Sequence, residues 1–143
     1  MSQVLLLTAD KPLPLCDRQE ERESVSVVNG REYQISFVRG FRVAEHSYYR
    51  HAVDELGHSM KPYQYELELH EEDLAAFRAY LETQFASGEE AELWSLWVGV
   101  DQSGHVPHYR GRLYDFDMDT LAQLYRPPNH NGLPGQCRMT ITI

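Results

Sequence analysis

The chain has 143 residues, 42% of them hydrophobic and 24% charged, with a formal net charge of −9. That is room for one domain with a core and too little for two ordinary ones; the near-average composition excludes a disordered tail, a collagenous repeat and a coiled coil. No apolar run approaches the ~20 residues of a membrane helix. The short run Val4-Leu5-Leu6-Leu7 follows no basic residue, so it lacks the pattern of a secretory leader and a cytoplasmic location is expected.

Residues 3–8 are apolar at both parities, as in a short strand buried on two faces. Lys11-Pro12-Leu13-Pro14 then imposes an extended connection. Asn29-Gly30 lies between two β-rich runs and predicts a hairpin. A two-residue loop would pair Val27 with Glu32 and Val25 with Gln34, mixing apolar and polar residues on one face. A three-residue loop, Val28-Asn29-Gly30, gathers Val25, Val27, Tyr33, Ile35 and Phe37 together and is therefore expected.

The segment 43–56 predicts a helix with Tyr49, Ala52, Val53 and Leu56 on one stripe, closed by Gly57. Residues 63–69 alternate Tyr63, Tyr65, Leu67 and Leu69 with polar side chains, a strand pattern that places the tyrosines with the leucines in the core. The helix expected over 71–86 buries Leu74, Phe77, Leu81 and Phe85, with acids in its first turn. A strand over 91–101 carries Trp94, Leu96, Val98 and Val100 on one face and Leu93 and Trp97 on the other. After a turn at 102–105, a strand over 109–116, a short helix carrying Met118, Leu121, Leu124 and Tyr125, a polar linker at 126–136 and a strand from Cys137 complete the chain.

This order predicts a single α+β domain over 1–143, with a mainly antiparallel sheet and its helices on one face. From 62 to 143 it is β-α-β-β-α-β, the order of ferredoxin-like sandwiches, with residues 1–60 packing an extra strand, hairpin and helix onto it. That topology makes the 63–69 and 109–116 strands neighbours and sets Glu66 and Glu68 near Arg110 and Arg112.

The acidity is local. Residues 63–101 hold ten acids against Arg78 alone, while 1–62 hold nine acids against eight bases and 102–143 hold three against four. A field of that sign repels phosphate backbones and attracts basic proteins, so a basic protein partner is expected and nucleic acid and membrane are not. The residues expected to meet it are Glu71, Glu72, Glu82, Glu89 and Glu90, with Trp97 as an aromatic anchor. A small interaction module resembling an immunity protein or inhibitor only in size and charge is the leading reading.

Two other classes are weighed against it. His51, Glu55 and His58 stand at i, i+4 and i+7, a spacing that would put two imidazoles and a carboxylate on one helical face as metal ligands. Gly57 opposes that reading by ending the helix first. A small-molecule-binding α+β domain, dimeric through its sheet edges, is the other. Phosphate-cradling glycine loops and nucleophile elbows are missing, and the histidines His105 and His108 are ordinary loop residues by default. No catalytic residue and no cofactor is assigned. Cys16 and Cys137, without a CxxC, are expected as free thiols, the second in the core.

Overall fold

The computed structural model describes residues 2–70, 73–99, 106–117, 119–120 and 136–143. Nine strands and two α-helices are seen among them: β1 (Ser2–Ala9), β2 (Cys16–Asp17), β3 (Glu20–Val28), β4 (Arg31–Arg39), β5 (Phe41–Glu45), α1 (Arg50–Asp54), β6 (Tyr63–Leu69), α2 (Leu74–Gln84), β7 (Glu90–Val98), β8 (His108–Arg112) and β9 (Cys137–Thr142). Seven strands make one sheet in the order β2-β5-β6-β1-β7-β9-β8, and β3 and β4 pair only with each other. All pairings are antiparallel except β8 with β9. The α+β class and the mainly antiparallel sheet are as expected. No described helix is long and apolar enough to cross a membrane.

The doubly apolar sequence of β1 explains its central place. Leu7 and Ala9 point to one face and Leu6 and Val4 to the other, all of them buried. β7 behaves in the same way, with Ala91 and Leu93 on the first face and Trp94, Leu96 and Val98 on the second. A sheet whose middle strands are apolar on both sides needs cover on both sides. The amphipathic α2 covers the first face with Phe77, Tyr80, Leu81 and Phe85; Phe77 packs against Phe41 at 5.6 Å and Phe116 at 6.2 Å between ring centroids. The short α1 covers the second through Val53, with Tyr49, Ala52 and Leu56 beside it.

The expectation that the helices share one face is therefore corrected: α1 and α2 lie on opposite faces. The ferredoxin-like order does not appear either, because β1 sits between β6 and β7, and β1, β7 and β9 separate β6 from β8. Glu66 and Glu68 accordingly do not face Arg110 and Arg112. Glu68 meets Arg42 at 3.4 Å and accepts from Gln19 at 2.6 Å, while Glu66 accepts from the Ser47 backbone N–H.

Three local expectations also change. The helix over 43–56 gives way to β5 and a five-residue α1, because Phe41 and Val43 alternate into the core beneath α2. Gly57, at φ +71°, still turns the chain after α1. The strand over 109–116 ends at Arg112 and passes into a 3₁₀ turn, Leu113–Asp115, that buries Leu113. Tyr63 is exposed rather than core, and Tyr65 is half-buried, its hydroxyl accepting from the Leu13 N–H at 2.7 Å. The expected strand end at 100–101, the turn at 102–105 with His105, Met118 and the helix and linker over 121–135 lie outside the described residues.

Candidate functional site

The hairpin is where sequence pattern and packing part company. Val28 pairs with Arg31, so the loop is the two residues Asn29 and Gly30, both with positive φ (+53° and +76°). That is the left-handed pair of a type I′ turn, whose twist matches that of the strands. The three-residue loop is thus corrected, and so is the single apolar face that it implied. Val27 opposes Glu32 and Val25 opposes Gln34, whereas Tyr33, Ile35 and Phe37 oppose Ser26, Ser24 and Arg22. Parity misled here because it presumes that one face of a strand is buried. Neither is: Val25, Val27, Val28, Tyr33, Ile35 and Phe37 are between 39% and 67% exposed.

The hairpin grows out of the edge of the large sheet without a break in register. Cys16 faces Val43 and Asp17 faces Arg42 in the sheet; the Arg18 N–H donates to the Phe41 carbonyl at 2.9 Å; Glu20 then faces Arg39 in the arm. Gly40 marks the point of departure. At φ +99° it has backbone freedom that other residues lack, and a Cβ there would overlap the Arg18 carbonyl. The Gly40 N–H is fixed by the Asp73 carboxylate at the start of α2. The result is a two-stranded arm of nine residues a side, anchored at its base, whose strands pair only with each other among the described residues.

Charge divides the arm by face. Cross-strand partners share a face, so Arg18, Glu20, Arg22, Arg31 and Arg39 accompany Tyr33, Ile35 and Phe37, at the same parity as Phe41 and Val43. Arg22 meets Glu20 at 2.7 Å and Arg18 stacks over Phe41. The reverse face carries Glu21, Glu23 and Glu32 with Val25 and Val27, and Gln34 donates to Glu23 at 2.8 Å. One side is cationic and aromatic, the other anionic and aliphatic.

The residues expected to bind a partner fare unequally. Glu71 and Glu72 lie outside the described residues. Glu82 and Glu90 are exposed, on α2 and at the start of β7. Glu89 is held by Lys11 at 2.8 Å and by the Ala86 N–H, contacts that pull its carboxyl below the usual range. Trp97 is half-buried in β7 opposite Gln3, so it offers only part of its ring. Beside Glu82 runs an open groove of about 640 Å³ between the end of α2 and the end of the sheet, lined by Phe85, Leu113, Tyr114 and Ile143 with Arg112. Its floor is fixed by the turn at 86–89: Gly88 N–H donates to the Ile143 carbonyl and Ile143 N–H to the Glu89 carbonyl.

Comparison with family models, curated proteins and solved structures finds no match to this chain. Chemistry must therefore be judged from the side chains alone.

The expected metal ligands are not brought together. His51 meets Glu55 at 3.0 Å on the exposed side of α1, but the turn at Gly57 sends His58 against Trp94, 5.5 Å between ring centroids. No group of three His, Cys, Asp or Glu side chains suited to a metal is found among the described residues. Cys137 is core as expected, and burial pushes its thiol up to about 11. Cys16 lies in β2, half-buried.

A polar row crosses the α1 face of the sheet, a feature that alternation alone did not disclose. Thr8, Glu92 and Thr140 are cross-strand neighbours and nearly inaccessible. Arg138 donates to Glu92 at 2.6 Å and lies 5.2 Å from the Trp94 ring centroid; Thr8 donates to the other Glu92 oxygen, and His108 meets Thr140 at 2.7 Å. With its carboxylate answered on both oxygens, this row is a satisfied buried network, which specifies register more than it adds stability.

Proposed function

We propose that the protein is an interaction module whose gripping element is the β3–β4 arm. One observation carries this reading: the ladder continues from the sheet edge in register and extends for nine residues with six large apolar side chains between 39% and 67% exposed. A lone two-stranded ribbon is marginal in water, and contiguous exposed apolar surface marks an interaction site. The sheet below it supplies the rigid base that a binding element requires. The expected basic partner still has Glu82 and Glu90 to meet, whereas Glu89 is engaged with Lys11. Neither a metal-dependent activity nor small-molecule binding has comparable support.

A photoreactive side chain at Ile35, expressed in the cells that make the protein, tests the proposal. It should yield a discrete crosslinked polypeptide whose signal is lost when Tyr33 and Phe37 become serine. Crosslinks confined to one chain, or indifferent to the serines, would remove the arm from any interface.

A further inference from the structure

We propose that residues 46–60 form an acid-released strap, in which a neutral histidine at each end, His46 and His58, helps to hold α1 against the sheet and protonation of the two frees it. The proposal goes beyond the interaction reading and does not depend on it.

The strap is thinly attached. It leaves the sheet after β5 and ends before β6, and over residues 46–62 two side chains are buried outright, His46 and Val53. α1 has five residues and no side-chain cap at Tyr49; a helix so short does not hold its shape in water by itself. Its ion pairs, Arg50 with Asp54 at 3.9 Å and His51 with Glu55 at 3.0 Å, are exposed and add little. What keeps the strap down is Val53 among Leu6, Trp94 and Leu96, with His46 before it and His58 after it.

Both histidines stand where a charge is costly. His46 is 4% exposed, with no hydrogen bond from the described residues to either ring nitrogen. Glu66 faces it from β6 while accepting from the Ser47 N–H, and Arg50 and Asp54 face it from α1, where they pair with each other. Burial lowers its pKa and outweighs the two acids, which favour the imidazolium; Arg50 adds to the lowering. His58 lies half-buried against the Trp94 ring, whose centroid is also 5.2 Å from the Arg138 guanidinium engaged by Glu92. Burial lowers its pKa as well.

Released, both imidazoles return to water and to their ordinary value of 6.5. The open strap therefore takes up protons before the closed one as pH falls. Closure is fully favoured above that value. Below it the opening equilibrium rises by up to about tenfold per pH unit for each histidine, until the closed form titrates as well. No strand of the large sheet lies within the strap, so the seven strands stay paired while Leu6, Trp94 and Leu96 lose their cover. Mild acid thus bares an apolar patch on a protein that is otherwise folded.

Amide protection factors of the full chain, measured by NMR hydrogen exchange at about pH 7.5 and about pH 5.5, test the proposal. The amides of Val53, Glu55, Leu56 and Gly57, which close the turns of α1, should lose at least about tenfold in protection at the lower pH, while those of β1 and β7 hold. His46→Leu and His58→Leu should each shrink the loss, and the double variant should abolish it; circular dichroism confirms that each is folded. Where a variant fails to fold, the imidazole resonances of the unaltered protein decide. Each should titrate below 6.5, over the same range in which the strap loses protection, and a His46 that titrates at or above 6.5 would overturn the proposal. Strap protection indifferent to pH, a loss shared equally by β1 and β7, or a loss that persists in the folded double variant would do the same.

Discussion

The seven-stranded body and the two-stranded arm are built from similar residues and held by different means. In the body, alternation places Leu7, Leu93, Met139 and Ile141 under α2 and Leu6, Trp94 and Leu96 toward α1, so each apolar strand residue has a neighbour across the layer. In the arm, valines and aromatics alternate just as regularly and stay between 39% and 67% exposed. The lesson is that strand alternation reports which residues share a side of the chain and not whether that side is covered. A body of this kind should unfold as one unit, whereas the arm is free to open by itself at low free energy.

Substitutions can break or sharpen that contrast. The largest effect belongs to Phe77→Ala, which empties the centre of the α2 layer; a loss of about 3–5 kcal/mol is expected from denaturant unfolding. Glu92→Ala leaves Arg138 and Thr8 without their acceptor. With the Arg138 side chain one-third exposed, the loss should fall to about 2 kcal/mol. Gly40→Ala strikes the junction, where strained backbone and overlap with Arg18 should remove about 1–2 kcal/mol and disorder the arm more than the body. A backbone assignment by NMR would show shifts centred on residues 18–41, and shifts spread through β1 and β7 would contradict the division.

A smaller effect concerns pH. His46 is 4% exposed and neither ring nitrogen has a hydrogen-bond partner among the described residues. Burial lowers its pKa below 6.5, Glu66 and Asp54 oppose the shift and Arg50 reinforces it. The unfolded chain takes up that proton near its ordinary value, before the folded protein does. Stability is therefore complete above about 6.5 and declines as pH falls toward the lower folded value. Burial of His58 acts in the same direction. The melting temperature should drop between neutral and mildly acidic pH, and His46→Leu should flatten the drop in part; an unchanged slope would show that His46 does not titrate with folding. The smallest effect is expected from Tyr33→Ser/Ile35→Ser/Phe37→Ser in the exposed arm, whose stability should match that of the unaltered protein within about 0.5 kcal/mol.

Much of the body was legible before any coordinates. The two-sided apolarity of residues 3–8 and 91–98 marks central strands, and the Leu74, Phe77, Leu81 and Phe85 spacing marks α2. What escaped was which strand neighbours which. Nothing in the 63–69 pattern states whether its partner is β8 or β1, since antiparallel neighbours are chosen by the whole set of layers. Residues 43–45 read as helix in sequence because Val43, Ala44 and the apolar positions beyond them fit a helical stripe as readily as the end of a strand. The site was half legible: Asn29-Gly30 identified the hairpin, and the mixed pairing of its two-residue loop, set aside as unfavourable, was the sign of a ribbon without a buried face. The acid-rich stretch was visible in full, and its groove was not, because Phe85, Leu113 and Ile143 meet only in three dimensions.

Hydrogen exchange of the amides of residues 20–39 in dilute protein tests the central claim most directly. Body amides in β1 and β7 should be slow. Arm amides should exchange rapidly. Arm amides as protected as those of β1 and β7 would show that the arm is held by its own chain, and would contradict the account.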